Sequence, residues 1–120
     1  MDDREALRDL LARERRSTQD RIASLSRQVD AIVESSAYTS NDDEHDPEGV
    51  TIAFERAQMQ ALLRQARADL EDLDEADERL RAGRYGVCEQ CGRPIALARL
   101  EALPATRICI DCANRPRRRR

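Results

Sequence analysis

Apolar side chains recur at alternating intervals of three and four through two long stretches of the chain, with a strongly polar segment between them. In the first stretch Leu11, Ile22, Leu25, Val29 and Ile32 fall on this rhythm, and Arg15 and Thr18 take intervening places. In the second, Ile52, Arg56, Met59, Leu63, Ala66, Leu70, Leu73, Asp77 and Leu80 repeat it. A mean spacing of three and a half residues marks helices that bury one narrow seam against a partner helix. Arg, Glu, Ala, Leu and Gln, all good helix formers, dominate the other positions, and neither stretch has an internal Pro or Gly.

If the chain reverses near Glu44, the two seams meet in antiparallel register. Val29 then faces Met59, Leu25 faces Leu63, Ile22 faces Ala66 and Thr18 faces Leu70. Agreement over several layers favours a hairpin within one chain over a parallel dimer; a monomer is expected, with a dimer of associated hairpins as the alternative. Each arm of about thirty residues would be roughly 45 Å long. Ser35, Ser36, Thr39, Ser40 and Asn41 weaken the end of the first helix. Asp46 is placed to cap the second helix, a contribution of about 1 kcal/mol, with Pro47 at its first position. Gly83 follows Leu80 and Arg81 where a helix commonly stops.

Composition adds a constraint. A chain of 120 residues with 40% hydrophobic and 38% charged residues, one Phe, two Tyr and no Trp cannot build a large globular core. It must be extended or stapled. The formal net charge of −3 does not suit a general nucleic-acid binder. No stretch has the apolar length needed to cross a bilayer, and Met1-Asp2-Asp3-Arg4-Glu5 lacks the apolar core of a signal peptide. These features predict a soluble, cytoplasmic protein.

Charge is unevenly distributed. The run from Asp42 to Glu48 holds the carboxylates of Asp42, Asp43, Glu44, Asp46 and Glu48, which the hairpin places at its tip. The chain ends Arg115-Pro116-Arg117-Arg118-Arg119-Arg120, and Arg117, Arg118, Arg119 and Arg120 form a possible nucleic-acid contact whose alternative is a solvated terminus. His45, alone in the tip, is assigned no role.

All four cysteines stand as Cys88-x-x-Cys91 and Cys109-x-x-Cys112. Each such turn aims two sulfurs at one point, and two turns supply the four thiolates of a tetrahedral zinc site. Gly92, after the first pair, suits a backbone that folds beneath the sulfurs. Four protein ligands leave no position for water or substrate, so the one zinc expected here is structural. Two disulfides would need an oxidising compartment, and a redox Cys-x-x-Cys would sit in a βαβ pattern that the chain lacks. Between the pairs, Arg93-Pro94-Ile95 reads as extended and residues 96–103 as a short helix or turn, with Leu97, Leu100 and Leu103 packing on the metal module. Ile108 and Ile110 alternate like a strand around Cys109.

Gly83-Arg84-Tyr85-Gly86-Val87-Cys88-Glu89-Gln90-Cys91-Gly92, followed by Ile95, Arg99-Leu100-Glu101-Ala102, Pro104 and Cys109-Ile110-Asp111-Cys112, resembles the zinc-finger signature of the DksA/TraR family. A helical hairpin with an acidic tip extends the resemblance over nearly the whole chain. It implies a bacterial transcription factor that binds RNA polymerase and inserts its coiled-coil tip into the secondary channel, often together with ppGpp. Asp46 falls on the first aspartate of the family's tip motif Asp-x-x-Asp-x-Ala, whereas Gly49 takes the place of the second and Thr51 that of the alanine. No match to the family's basic ppGpp-binding positions is found.

The expected architecture is therefore all-α: an antiparallel coiled-coil hairpin over residues 1–82, tipped at 42–48, with a four-cysteine zinc finger at its base over 83–114 and a basic tail over 115–120. No nucleophile with a base, phosphate loop or catalytic metal site is visible, so the protein is expected not to be an enzyme. Two other functions fit parts of the chain: a zinc-ribbon nucleic-acid-binding protein that uses the arginine tail, and a thiol and zinc redox sensor.

Overall fold

The computed structural model describes residues 3–37 and 47–116. Four helices follow in order: α1 (Asp3–Ala37), α2 (Pro47–Arg81), α3 (Leu97–Ala102) and α4 (Ile110–Ala113). Asp3 and Glu5 stand in the first turn of α1 and Arg79 and Arg81 in the last turn of α2, the charge placement that a helix dipole favours. Pro47 opens α2 as expected. Asp46, its expected cap, lies outside the described residues.

The fold is the all-α antiparallel coiled coil with a four-cysteine module that the sequence predicts, and it divides into two compact units. In the unit Ser17–Leu70, Leu25, Leu63 and Ala66 form a buried cluster, flanked by Ile22, Val29 and Met59. These are the layers predicted from the antiparallel register. Arg21 and Asp69 pair across the same two helices at 3.9 Å. Thr18 is buried, as a seam position should be.

In the unit of Met1–Arg16 with Glu71–Arg120, the seam is completed differently. Leu11, Leu73, Ala76 and Leu80 form the buried cluster. Asp77, the predicted seam residue, stands at its flank, where it pairs with Arg81 at 2.9 Å and with Arg15 at 3.9 Å. Arg15 also donates to Asp74 at 2.9 Å. The polar places of the predicted rhythm thus meet as an ion-pair network while the small Ala76 takes the interior.

The end of α2 is a Schellman motif. The Gly83 amide donates to the Leu80 carbonyl at 3.2 Å and the Arg84 amide to the Arg79 carbonyl at 2.8 Å. Gly83 sits at φ +76°, which a side chain would disfavour. The motif turns the chain into the cysteine module, which packs beside the N-terminal part of α1 through Leu7.

Candidate metal centre

Two short knuckles carry the sulfurs. In the first, the Cys88 amide donates to the Arg93 carbonyl at 2.8 Å, the Gly92 amide to the Cys88 carbonyl at 2.9 Å, and the Ile95 amide to the Gly86 carbonyl at 2.7 Å. An isolated antiparallel bridge between Val87 and Pro94 closes this loop, and Gly92 takes φ +75° at its turn. In the second knuckle Cys109 is the N-cap of α4: its sulfur accepts from the Cys112 amide at 3.5 Å. The Glu89 amide donates to the Arg107 carbonyl at 2.9 Å, tying the knuckles together.

This arrangement brings together the sulfurs of Cys88, Cys91, Cys109 and Cys112, all within 4.8 Å of one another. Cys88 and Cys112 are 3.7 Å apart at sulfur, as are Cys91 and Cys109. A disulfide bond is about 2.05 Å long. Sulfurs about 2.3 Å from a common zinc lie roughly 3.8 Å from one another in a regular tetrahedron. The spacing therefore fits one zinc ion and not a disulfide. Cys88, Cys109 and Cys112 are buried, with Cys91 exposed at the rim.

The donor set also fits a cation electrostatically. Without metal, burial pushes the Cys88 thiol up, but backbone groups of Cys109, Cys91 and Gln90 outweigh it and bring the pKa to about 6. Burial, reinforced by the neighbouring sulfurs of Cys109, Cys88 and Cys91, pushes Cys112 up to about 12. Four thiolates cannot share so small a volume without a compensating positive charge, and a divalent zinc supplies it.

The centre is anchored to its surroundings by apolar and polar contacts. Ile95 and Leu100 are buried with the cysteines, and Leu7, Tyr85 and Ile108 cover them. Arg107 pairs with Glu75 of α2 and, at 3.2 Å, with Glu89 between the first two cysteines. Arg99 donates to the Ile108 carbonyl at 3.0 Å. Leu97 and Leu103, expected to pack here, are exposed; α3 buries Leu100 alone. Ile110 is helical and exposed, because Cys109 caps α4 where a strand was expected.

Two residues that the sequence reading did not single out are central to this unit. Arg79 is buried, with Nη2 donating to the Ala105 carbonyl at 3.4 Å and Nη1 lacking a partner among the described residues. Tyr85 donates to the Pro104 carbonyl. Of the remaining expected sites, Asp42, Asp43, Glu44 and Asp46 lie outside the described residues, as do Arg117, Arg118, Arg119 and Arg120. Glu48 belongs to the first turn of α2. Among the described residues no helix is long and apolar enough to cross a membrane.

Residues 83–118 match the prokaryotic dksA/traR C4-type zinc finger. Over 47 residues the chain is 45% identical to the RNA polymerase-binding transcription factor DksA of Caulobacter vibrioides, an alignment that covers 39% of this chain and 33% of that protein. It is 30% identical over 86 residues to general stress protein 16O of Bacillus subtilis, covering 71% of this chain and 53% of the relative. The chain thus spans about a third to a half of the length of these curated relatives. The structure of transcription factor DksA2 from Pseudomonas aeruginosa superposes with a TM-score of 0.79 at 30% identity, over 92% of this chain and 80% of that one. Matched by the family's zinc finger over residues 83–118 and by a 30%-identical relative's structure over 92% of its length, the chain belongs to the DksA/TraR family of C4-type zinc-finger proteins.

Proposed function

We propose that this protein is a non-enzymatic transcription regulator that works in the cytoplasm by binding RNA polymerase through the enzyme's secondary channel. The observation that supports this reading best is the likeness to a transcription factor over 92% of the chain, far more than the zinc finger alone accounts for. In this reading residues 83–114 and the adjoining helix ends dock on the channel rim. The acidic run of Asp42, Asp43, Glu44, Asp46 and Glu48 acts inside the channel, on the polymerase active centre. Gly49 withdraws one carboxylate of the family's tip motif, so the neighbouring acids carry the charge. Zinc is structural, and no ppGpp site is assigned.

The test is binding of the zinc-loaded protein to cognate core RNA polymerase, with and without a known secondary-channel competitor. A variant with Asp42, Asp43 and Asp46 changed to Asn and Glu44 and Glu48 to Gln runs beside it. The expected result is competed binding by both proteins, with only the parent altering open-complex lifetime. Absent binding at micromolar concentrations, or binding that the competitor leaves untouched, would overturn the reading. Salt-dependent nucleic-acid binding lost on removing residues 115–120 would then replace it.

A further inference from the structure

The first two turns of α2 invert the usual rule for a surface helix. Val50 is 69% exposed and Phe54, the only phenylalanine in the chain, is 72% exposed. One helical turn separates them, and both lie about 160° around the helix from Ile52. Ile52 is half-buried and lines a shallow groove with Ala31, Ile32 and Ser35 of α1. Val50 and Phe54 therefore point away from the packed seam. Farther along their face stand Gln58, Ala61 and Gln65, exposed and polar or small. On this face the large apolar side chains stand only at the start of the helix, and helix propensity does not explain them, since Val and Phe are both weaker helix formers than Ala.

From this placement we infer that Val50 and Phe54 form an apolar anchor that seats on RNA polymerase beside the point reached by the acidic run, an inference that rests on the polymerase reading above. Two features of the chain select this occupant over a second copy of itself. A stable dimer buries roughly 800 Å² on each partner, whereas an aromatic side chain contributes about 150–250 Å². Val50 and Phe54 are thus a subsite of a larger contact. The sequence also places the carboxylates of Asp42–Glu48 immediately before Val50. Two copies meeting on this face would bring like charges together, while a partner with basic or metal-bearing groups around an apolar pocket satisfies both features. Exposed aromatic side chains that enter such pockets dominate binding energy well beyond their number.

The experiment compares the zinc-loaded parent with Phe54→Ala, Phe54→Leu, Val50→Ala and Leu62→Ala for binding to cognate core polymerase, after circular dichroism and zinc content show the fold unchanged. Phe54→Ala is expected to weaken competitor-sensitive binding about tenfold or more, Phe54→Leu to keep most of it, and Leu62→Ala to change it no more than about twofold. A photoreactive phenylalanine analogue at position 54 should cross-link to a polymerase subunit. Parent-like binding by Phe54→Ala, while the parent is displaced by the competitor, overturns the anchor and leaves the polymerase reading standing. A parent that does not bind overturns both. A concentration-dependent dimer in sedimentation that Phe54→Ala dissolves would assign the face to a second copy instead.

Discussion

The Tyr85 hydroxyl donates to the Pro104 carbonyl at 2.7 Å, and the Tyr85 ring packs against both the metal cluster and the cluster of Leu11, Leu73, Ala76 and Leu80. One side chain thus fastens the cysteine module to the helix ends. Phe in its place keeps the packing and removes the bond, so Tyr85→Phe should lower stability by about 1 kcal/mol. Burial raises the Tyr85 pKa, against a smaller lowering by Arg79. A raised value in the folded state means that the contribution is fully present below the unfolded value of about 10 and is lost as pH climbs through the folded one. Denaturant unfolding of the zinc-loaded proteins should show a constant gap from pH 7 to 9 that narrows only above about pH 10. No gap at pH 7 would show that the bond adds nothing net.

Ala76 is 0% exposed while the adjacent Asp77 stands at the seam's edge with Arg15 and Arg81. Enlarging the interior residue should cost more than removing the edge charge. Ala76→Leu is expected to destabilise by about 1–3 kcal/mol through overpacking. Asp77→Ala should cost about 1 kcal/mol or less, because its ion pairs are partly solvated. The reverse ranking in thermal melts would place Asp77 in the seam after all.

That pair of residues shows where the sequence was legible. Leu25, Leu63 and Ala66 were readable as a core because their spacing repeats a helix period and matches across the two helices of a hairpin. The four sulfurs were readable because zinc chemistry admits few spacings. Ala76 was hidden because alanine favours any helical position, buried or not, and a polar residue at the next place kept the rhythm intact. Arg79 was hidden because a charge reads as solvent-facing. The burial pattern of α3 and α4 was missed for a different reason: the metal geometry and the Cys109 cap, not hydrophobic alternation, set the backbone there. Leu97 and Ile110 were therefore assigned to the wrong environments.

Zinc affinity should fall as pH falls. Binding must remove the proton from Cys112, whose thiol is pushed up to about 12 in the metal-free site, so at least one proton is released at any pH from neutral to mildly alkaline. Between about pH 6.5 and 8.5 the affinity should rise at least tenfold per unit. Competition against a chromophoric chelator reads this slope directly, and a flat profile would contradict four-thiolate binding. Full chelation should expose the buried thiols and melt the cluster around Ile95 and Leu100, leaving the Leu25–Leu63–Ala66 cluster protected in hydrogen exchange. Unchanged thermal stability and thiol reactivity after chelation would refute a structural zinc.

Arg79 offers a test of what a buried charge contributes. It is 6% exposed, forms no ion pair among the described residues, and holds one long hydrogen bond to Ala105. Withdrawing a guanidinium from water without a carboxylate beside it is costly, while its aliphatic stem still gains from packing. The two contributions separate by substitution. Arg79→Met retains a flexible apolar stem and drops the charge, and should be neutral or stabilise by about 1 kcal/mol or more. Arg79→Ala drops both and should destabilise by about 1–3 kcal/mol. The charge also has a spectroscopic reporter, because it lowers the pKa of the Tyr85 phenol. Ultraviolet titration of Arg79→Met, in a chain with only two tyrosines, should therefore show Tyr85 ionising at higher pH than in the parent. If Met destabilises as much as Ala and leaves the phenol unmoved, burial of the guanidinium is favourable and this reading of Arg79 fails.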